Sequence, residues 1–231
     1  MLFGGLQKTT LVDYSGKVAA TIFTAGCNFR CPYCHNPELV LPELIKEQPK
    51  ITEKEILNFL KEHQKLLEGV CITGGEPTIQ PDLINFIKKV KDLGFLVKLD
   101  TNGSRPGVLN SLIEGNLIDY VAMDIKAPKQ KYDLFVEDEK IGENIDKSIE
   151  LLKQDKVDYE FRTTLAPDIL EEQDILAIAD WIKFAPRYFL QRFQNSKVLN
   201  EKFKDLQPWS EQRIKTVLKK IKPYFPQCDI R

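Results

Sequence analysis

Val18-Ala19-Ala20-Thr21-Ile22-Phe23-Thr24-Ala25-Gly26-Cys27-Asn28-Phe29-Arg30-Cys31-Pro32-Tyr33-Cys34-His35 joins an apolar, β-branched run to a loop that carries three cysteines within eight residues. Residues 18–24 read as a strand. The cysteines that follow also fall at helical spacing, but Pro32 removes a backbone donor and clashes with the preceding turn, so a helical stripe is disfavoured. Outward from this stretch the same kind of apolar run recurs at 69–73, 95–100, 120–124, 159–165 and 187–193. Between these runs lie helix-like segments at 52–67, 81–93, 106–114, 142–154 and 168–184, the first opened by a Thr52/Glu55 capping box. Strands alternating with helices of this length imply βαβ crossovers and a parallel sheet. The expected fold class is α/β: a partial, open (β/α)6 TIM-like barrel. A β-hairpin at Leu11–Val18, centred on Asp13-Tyr14-Ser15-Gly16, is expected before it, and a C-terminal helix capped by Ser210 after it.

The 231 residues, 42% of them apolar, suit one domain spanning 1–231, with a barrel core over about 17–195 and a C-terminal extension over about 196–231. Thirty-three Lys and Arg against 34 Asp and Glu leave a net charge of -1, which gives no global reason for nucleic-acid or membrane binding. No run resembles a signal peptide or approaches the ~20 apolar residues of a membrane span, so a cytoplasmic location is expected. In a reducing compartment, clustered cysteines point to a metal site or redox chemistry rather than to disulfides.

Cys27, Cys31 and Cys34 can each ligate one iron of a cubane cluster, leaving the fourth iron without a protein ligand. Competing readings are a zinc site completed by His35, a Cys31–Cys34 dithiol, and a haem-attachment pattern ending at His35. In parallel α/β folds the reactive face is built by loops after the carboxyl ends of the strands. The second predicted strand ends in Gly74-Gly75-Glu76-Pro77, where two glycines permit close backbone approach and a carboxylate can accept from an ammonium group. The third ends at Asp100-Thr101-Asn102-Gly103 and the fourth at Asp124-Ile125-Lys126. Arg162 interrupts the apolar fifth strand, either turned inward toward a carboxylate or outward to solvent. His63 reads as a helix surface or packing residue, His35 as support for the cysteine loop, and Cys71 as a small buried hydrophobe.

The Cys-x3-Cys-x2-Cys spacing, with aromatic Tyr33 before the last cysteine, resembles the cluster loop of the radical S-adenosylmethionine (SAM) superfamily. That resemblance implies one 4Fe-4S cluster on Cys27, Cys31 and Cys34, and SAM held with its amino group at Gly74, Gly75 and Glu76. Asp100, Asp124 and Lys126 match the pattern that glycyl-radical-enzyme activases use for SAM and a monovalent cation. Related activases often carry a histidine near the adenine on the sixth strand; here Gln191, Phe193 or backbone atoms would replace it. The opening Gly4-Gly5-Leu6-Gln7-Lys8-Thr9 through Asp13-Tyr14, with Gly26 to Leu39, resembles the activating proteins of anaerobic (class III) ribonucleoside-triphosphate reductases. This implies a radical SAM oxidoreductase that cleaves SAM reductively and places a glycyl radical on such a reductase. A low-potential electron donor such as flavodoxin or ferredoxin would supply the electron. The alternatives are a small-molecule radical SAM enzyme similar to 7-carboxy-7-deazaguanine synthase and, outside enzymes, an iron-sulfur electron carrier.

Overall fold

The computed structural model describes residues 1–231. In chain order its elements are β1 (Phe3–Thr10), β2 (Ala19–Thr24), α1 (Pro42–Glu47), α2 (Glu53–Glu62), β3 (Gly69–Gly74), α3 (Leu83–Asp92), β4 (Leu96–Thr101) and α4 (Pro106–Glu114). There follow β5 (Tyr120–Asp124), α5 (Ile141–Leu152), β6 (Asp158–Thr164), α6 (Glu172–Trp181), β7 (Arg187–Gln191), α7 (Glu211–Ile221) and β8 (Gln227–Ile230). All eight strands form one sheet in the order of the sequence. β2 to β8 are parallel, and β1 runs antiparallel to β2. Because the order never reverses and parallel crossovers are right-handed, successive helices fall on the same face and the sheet curls around the other. β1 and β8 do not pair, so the barrel is partial and open, as expected.

The outer face is apolar. Ile22, Ile72, Leu99, Val121, Phe161 and Leu190 are fully buried there, in one hydrophobic cluster with Ile56, Phe86, Leu112, Ile145, Ile178 and Val217 from the helices. Each such side chain contributes about 1.5–3 kcal/mol through burial. The capping box forms as read: Thr52 Oγ1 accepts from Glu55 N at 3.2 Å and Thr52 N donates to Glu55 Oε2 at 2.8 Å. Ser210 Oγ likewise accepts from Arg213 N at 3.3 Å to start α7.

Four expectations need correction. Leu11–Val18 is not itself a hairpin; it connects the hairpin arms β1 and β2, and β1 escaped notice because Gly4, Gly5 and the polar Gln7-Lys8-Thr9-Thr10 carry no apolar alternation. β8, four residues long, adds a further parallel strand beyond the six expected. The helix expected from residue 168 starts only at Glu172, because Asp168 adopts a left-handed φ of 62° and the cap forms later, between Glu171 and Asp174. The helix expected to reach residue 67 ends at Glu62; the chain then turns so that Leu67 enters the core while Leu66 faces solvent.

Strand register sets the inner face. Cys71 lies beside Lys98, Asp124 beside Arg162, Arg162 beside Phe189, and Thr164 beside Gln191. Parallel partners project on the same side, and a period of two then places Asp100 one step above Lys98. The hollow at the carboxyl ends is therefore lined by charged and polar groups.

Candidate active site

The cysteine loop leaves β2 through Gly26, whose φ of +99° favours glycine. Neighbouring backbone pins it from three sides: Gly26 N donates to Leu39 O at 2.7 Å, Glu76 N to Gly26 O at 2.8 Å, and Arg30 N to Phe135 O at 2.8 Å. The Arg30 guanidinium donates to the carbonyls of Cys27 (2.7 Å) and Phe29 (2.9 Å), closing the loop on itself. Cys27, Cys31 and Cys34 are free thiols and line one cavity of about 300 Å³. Burial pushes the Cys27 thiol up to about 12 and Cys31 up to about 11, and raises Cys34 as well. Tyr33 is buried and packs edge-on to Phe135, with ring centroids 6.2 Å apart.

Gly74 and Gly75 line the cavity, but the Cβ direction of each is blocked by protein backbone. A Cβ on Gly75 would lie 2.0 Å from Gly26 O, and one on Gly74 2.4 Å from Thr24 O. The glycines thus let the loop after β3 press directly on the loop that carries the cysteines. Glu76 is 1% exposed and its carboxylate is already engaged. Oε1 accepts from Thr78 N at 3.0 Å, from the Thr78 hydroxyl and from Thr101 Oγ1 at 2.7 Å; Oε2 accepts from Asn102 N at 2.7 Å. Burial raises the Glu76 carboxyl, while these donors from Thr78, Asn102 and Thr101 act to lower it. Its visible work is to tie the loop after β3 to the loop after β4. Asn28 continues the link, accepting from Asn102 Nδ2 at 3.0 Å and donating to Ser104 Oγ at 2.9 Å.

Arg162 points inward. Its Nε donates to Asp124 Oδ1 at 2.8 Å and its Nη1 to Asp100 Oδ2 at 3.0 Å. Lys126 Nζ holds Asp124 Oδ2 at 2.8 Å, and Lys98 Nζ holds Asp100 Oδ1. Each of the four carboxylate oxygens therefore faces a protein cation, in an alternating chain of three cations and two anions. Burial disfavours charge on Asp124, Lys126 and Arg162, yet Arg162 and Lys126 hold the Asp124 carboxyl well below the usual carboxylate range. In turn, against burial, Asp124 keeps Lys126 well above its ordinary value, and Asp100 and Asp124 do so for Arg162.

The structure brings Cys27, Cys31, Tyr33, Cys34, Gly74, Gly75, Glu76, Asp100, Asp124, Lys126 and Arg162 to one cavity. Of the two residues weighed on the sixth parallel strand, Gln191 lines it, whereas Phe193 is buried against Phe203. His35 reaches the cavity wall but its Nδ1 contacts Lys197 O at 2.8 Å; His63 stacks on Phe59 away from the site. Sequence reasoning missed Lys98, Asn28, Thr101 and Asn102. Lys98 could have been found from its position two residues before Asp100, on the same face of β4.

No three His, Cys, Asp or Glu side chains are gathered around a single ion-sized point. Three soft thiols lining one cavity suit instead a cubane with one iron left open. The chain belongs to the radical SAM superfamily, whose family model matches residues 21–182. Among curated relatives, it is 38% identical to a putative glycyl-radical enzyme activating enzyme of Methanocaldococcus jannaschii, over 100% of this chain and 95% of that protein. A 7-carboxy-7-deazaguanine synthase of Thermoplasma acidophilum is 34% identical over 51% of this chain and 52% of its own length. The fold is similar to SuiB of Streptococcus suis, solved with its precursor peptide SuiA, with a TM-score of 0.68 at 13% identity. That match covers 90% of this chain and 48% of SuiB. No helix is long and apolar enough to cross a membrane.

Proposed function

We propose that the chain is a radical SAM activase that generates a glycyl radical on a partner enzyme, and that the partner is an anaerobic ribonucleoside-triphosphate reductase. The observation that carries the activase reading is the full-length correspondence with a putative glycyl-radical enzyme activating enzyme, in contrast to a half-length match with the deazaguanine synthase. The open sheet is consistent with it, because a peptide loop needs an unobstructed way into the hollow.

In this reading Cys27, Cys31 and Cys34 hold three irons of a 4Fe-4S cluster, and SAM occupies the rest of the cavity. When bound and reduced, the cluster supplies the electron that cleaves SAM to methionine and a 5'-deoxyadenosyl radical able to take hydrogen from a glycine Cα. The protein's own work is placement and exclusion of water. Lys126 and Arg162, held by Asp124 and Asp100, present positive charge to the SAM carboxylate. The backbone of Gly74 and Gly75 would meet the SAM ammonium group, since the Glu76 carboxylate is spent on loop contacts and acts through its charge. Gln191, with an amide donor and acceptor at the cavity wall, takes the adenine side. A monovalent cation beside Asp100 and Asp124 belongs to this reading as well, since each carboxylate oxygen keeps a lone pair beyond its contact with Lys98, Arg162 or Lys126.

The test is anaerobic incubation of iron-loaded protein with SAM, dithionite and the cognate reductase, followed by electron paramagnetic resonance. A glycyl radical doublet, absent when the partner glycine is changed to alanine, is the expected result. SAM cleavage without that signal, with hydrogen taken from a small metabolite, would transfer the function to the small-molecule class. Cluster formation without any SAM cleavage would leave an electron carrier.

A further inference from the structure

Lys98 carries a charge into the interior of the sheet. β4 turns Val97 and Leu99 toward the helices and Lys98 and Asp100 inward, with Cys71 of β3 and Tyr120 of β5 as the register partners of Lys98. The Lys98 side chain is 5% exposed and takes no part in the wall of the active-site cavity, whereas Asp100, two residues on, does. Asp100 Oδ1 is its one carboxylate partner, and Lys98 Nζ also donates to Cys71 Sγ at 3.8 Å. The Cys71 thiol donates to the same Oδ1, at 3.8 Å. A charge buried this deeply persists against its desolvation cost only with a partner.

The consequence falls on Arg162, which lines the cavity. Its Nε is committed to Asp124 Oδ1 at 2.8 Å and its Nη1 to Asp100 Oδ2 at 3.0 Å, while Nη2 has no hydrogen-bond partner in the protein. A guanidinium beside a carboxylate ordinarily closes a fork of two parallel bonds. With Oδ1 held by Lys98, the guanidinium reaches Asp100 through Oδ2 alone. We propose that Lys98 is a positioning residue for SAM: by holding Asp100 Oδ1 it keeps Nη2 of Arg162 unpaired and open to the SAM carboxylate. This rests on the placement of that carboxylate at Arg162 in the proposed function. Without Lys98, both oxygens of Asp100 turn to the guanidinium, Nη1 and Nη2 close the fork, and the ligand loses a charged donor. The sulfonium and ammonium ends of SAM meet other groups and are unaffected.

The experiment titrates the iron-loaded full chain, with its cluster oxidised and at a fixed potassium concentration, with SAM and with decarboxylated SAM, which keeps the amine and the sulfonium but lacks the carboxylate. Lys98→Met should lower the preference for SAM over decarboxylated SAM at least about tenfold, with iron content and cluster absorbance unchanged. Equal weakening of both ligands, the outcome of a merely structural role, leaves the preference intact and would overturn the proposal. The double change Lys98→Met, Asp100→Asn removes both charges of the buried pair, so it serves where Lys98→Met alone fails to fold. Its preference should equal that of Asp100→Asn, because Lys98 acts only through Asp100; a further loss would also overturn the proposal. Wild type that binds the two ligands equally would refute the carboxylate's placement at Arg162, and the role of Lys98 with it. A wild-type preference kept by Lys98→Met refutes the role of Lys98 alone.

Discussion

Arg162 reaches across from β6 to donate to Asp124 at the end of β5 at 2.8 Å, and the same guanidinium spans onward to Asp100 on β4. Three strand ends are thereby locked by one side chain that is only 13% exposed. Replacement by Met keeps the bulk but leaves buried carboxylate oxygens without their cation. Loss of one partner of a buried pair costs about 3–5 kcal/mol. Arg162→Met should lower the urea midpoint at unchanged slope by a corresponding amount. Arg162→Lys should recover only part of it, since one ammonium cannot reproduce a fork that reaches two carboxylates.

The same contacts predict an acid limb. Asp124 has a folded-state pKa below its unfolded value, so its contribution is complete above the unfolded carboxylate pKa of about 3.9 and drains away as pH falls below it toward the folded pKa. Stability of the wild type should therefore drop more steeply with acidification below about pH 4 than that of Asp124→Asn. Parallel slopes in thermal denaturation across that range would reject the assignment.

Gly75→Ala places a methyl group 2.0 Å from Gly26 O, a backbone atom that cannot swing aside. The cysteine loop must shift, at a cost of about 1–3 kcal/mol or more. Iron loading should fall with it, although residue 75 is no ligand. Glu76→Gln swaps an oxygen for an NH2 group among donors from Thr78, Thr101 and Asn102. It should destabilise by about 1–3 kcal/mol and weaken SAM binding in calorimetry.

Anaerobic reconstitution should load about four irons per chain, and Cys27→Ala, Cys31→Ala or Cys34→Ala should each abolish the cluster. Cys71→Ala should not, because Cys71 is fully buried in β3 and lies outside the cavity. The Cys27 and Cys31 thiols, raised by burial to about 12 and about 11, are protonated at neutral pH and must release their protons to bind iron. Loading at a fixed time should therefore increase from about pH 7 to about pH 8.5, measured by iron content and visible absorbance.

Chain-local features were legible in the sequence. Spacing alone put the thiols of Cys27, Cys31 and Cys34 in one loop, period-two strands set Asp100 and Asp124 at strand ends, and Thr52 and Ser210 marked their helix starts, since each depends on neighbours within a few residues. Other features depend on residues far apart in the chain, and only the tertiary structure decided them. β1 and β8 gain their strand character from the neighbours they pair with, not from an apolar alternation of their own. Whether Arg162 turned inward depended on carboxylates supplied by two other strands. Glu76 looked free to receive a ligand until Thr101 and Asn102, 25 and 26 residues away, proved to be its donors. The two glycines before it line the cavity, yet what forbids a side chain at either is the backbone of Thr24 and Gly26, which only the tertiary structure brings there.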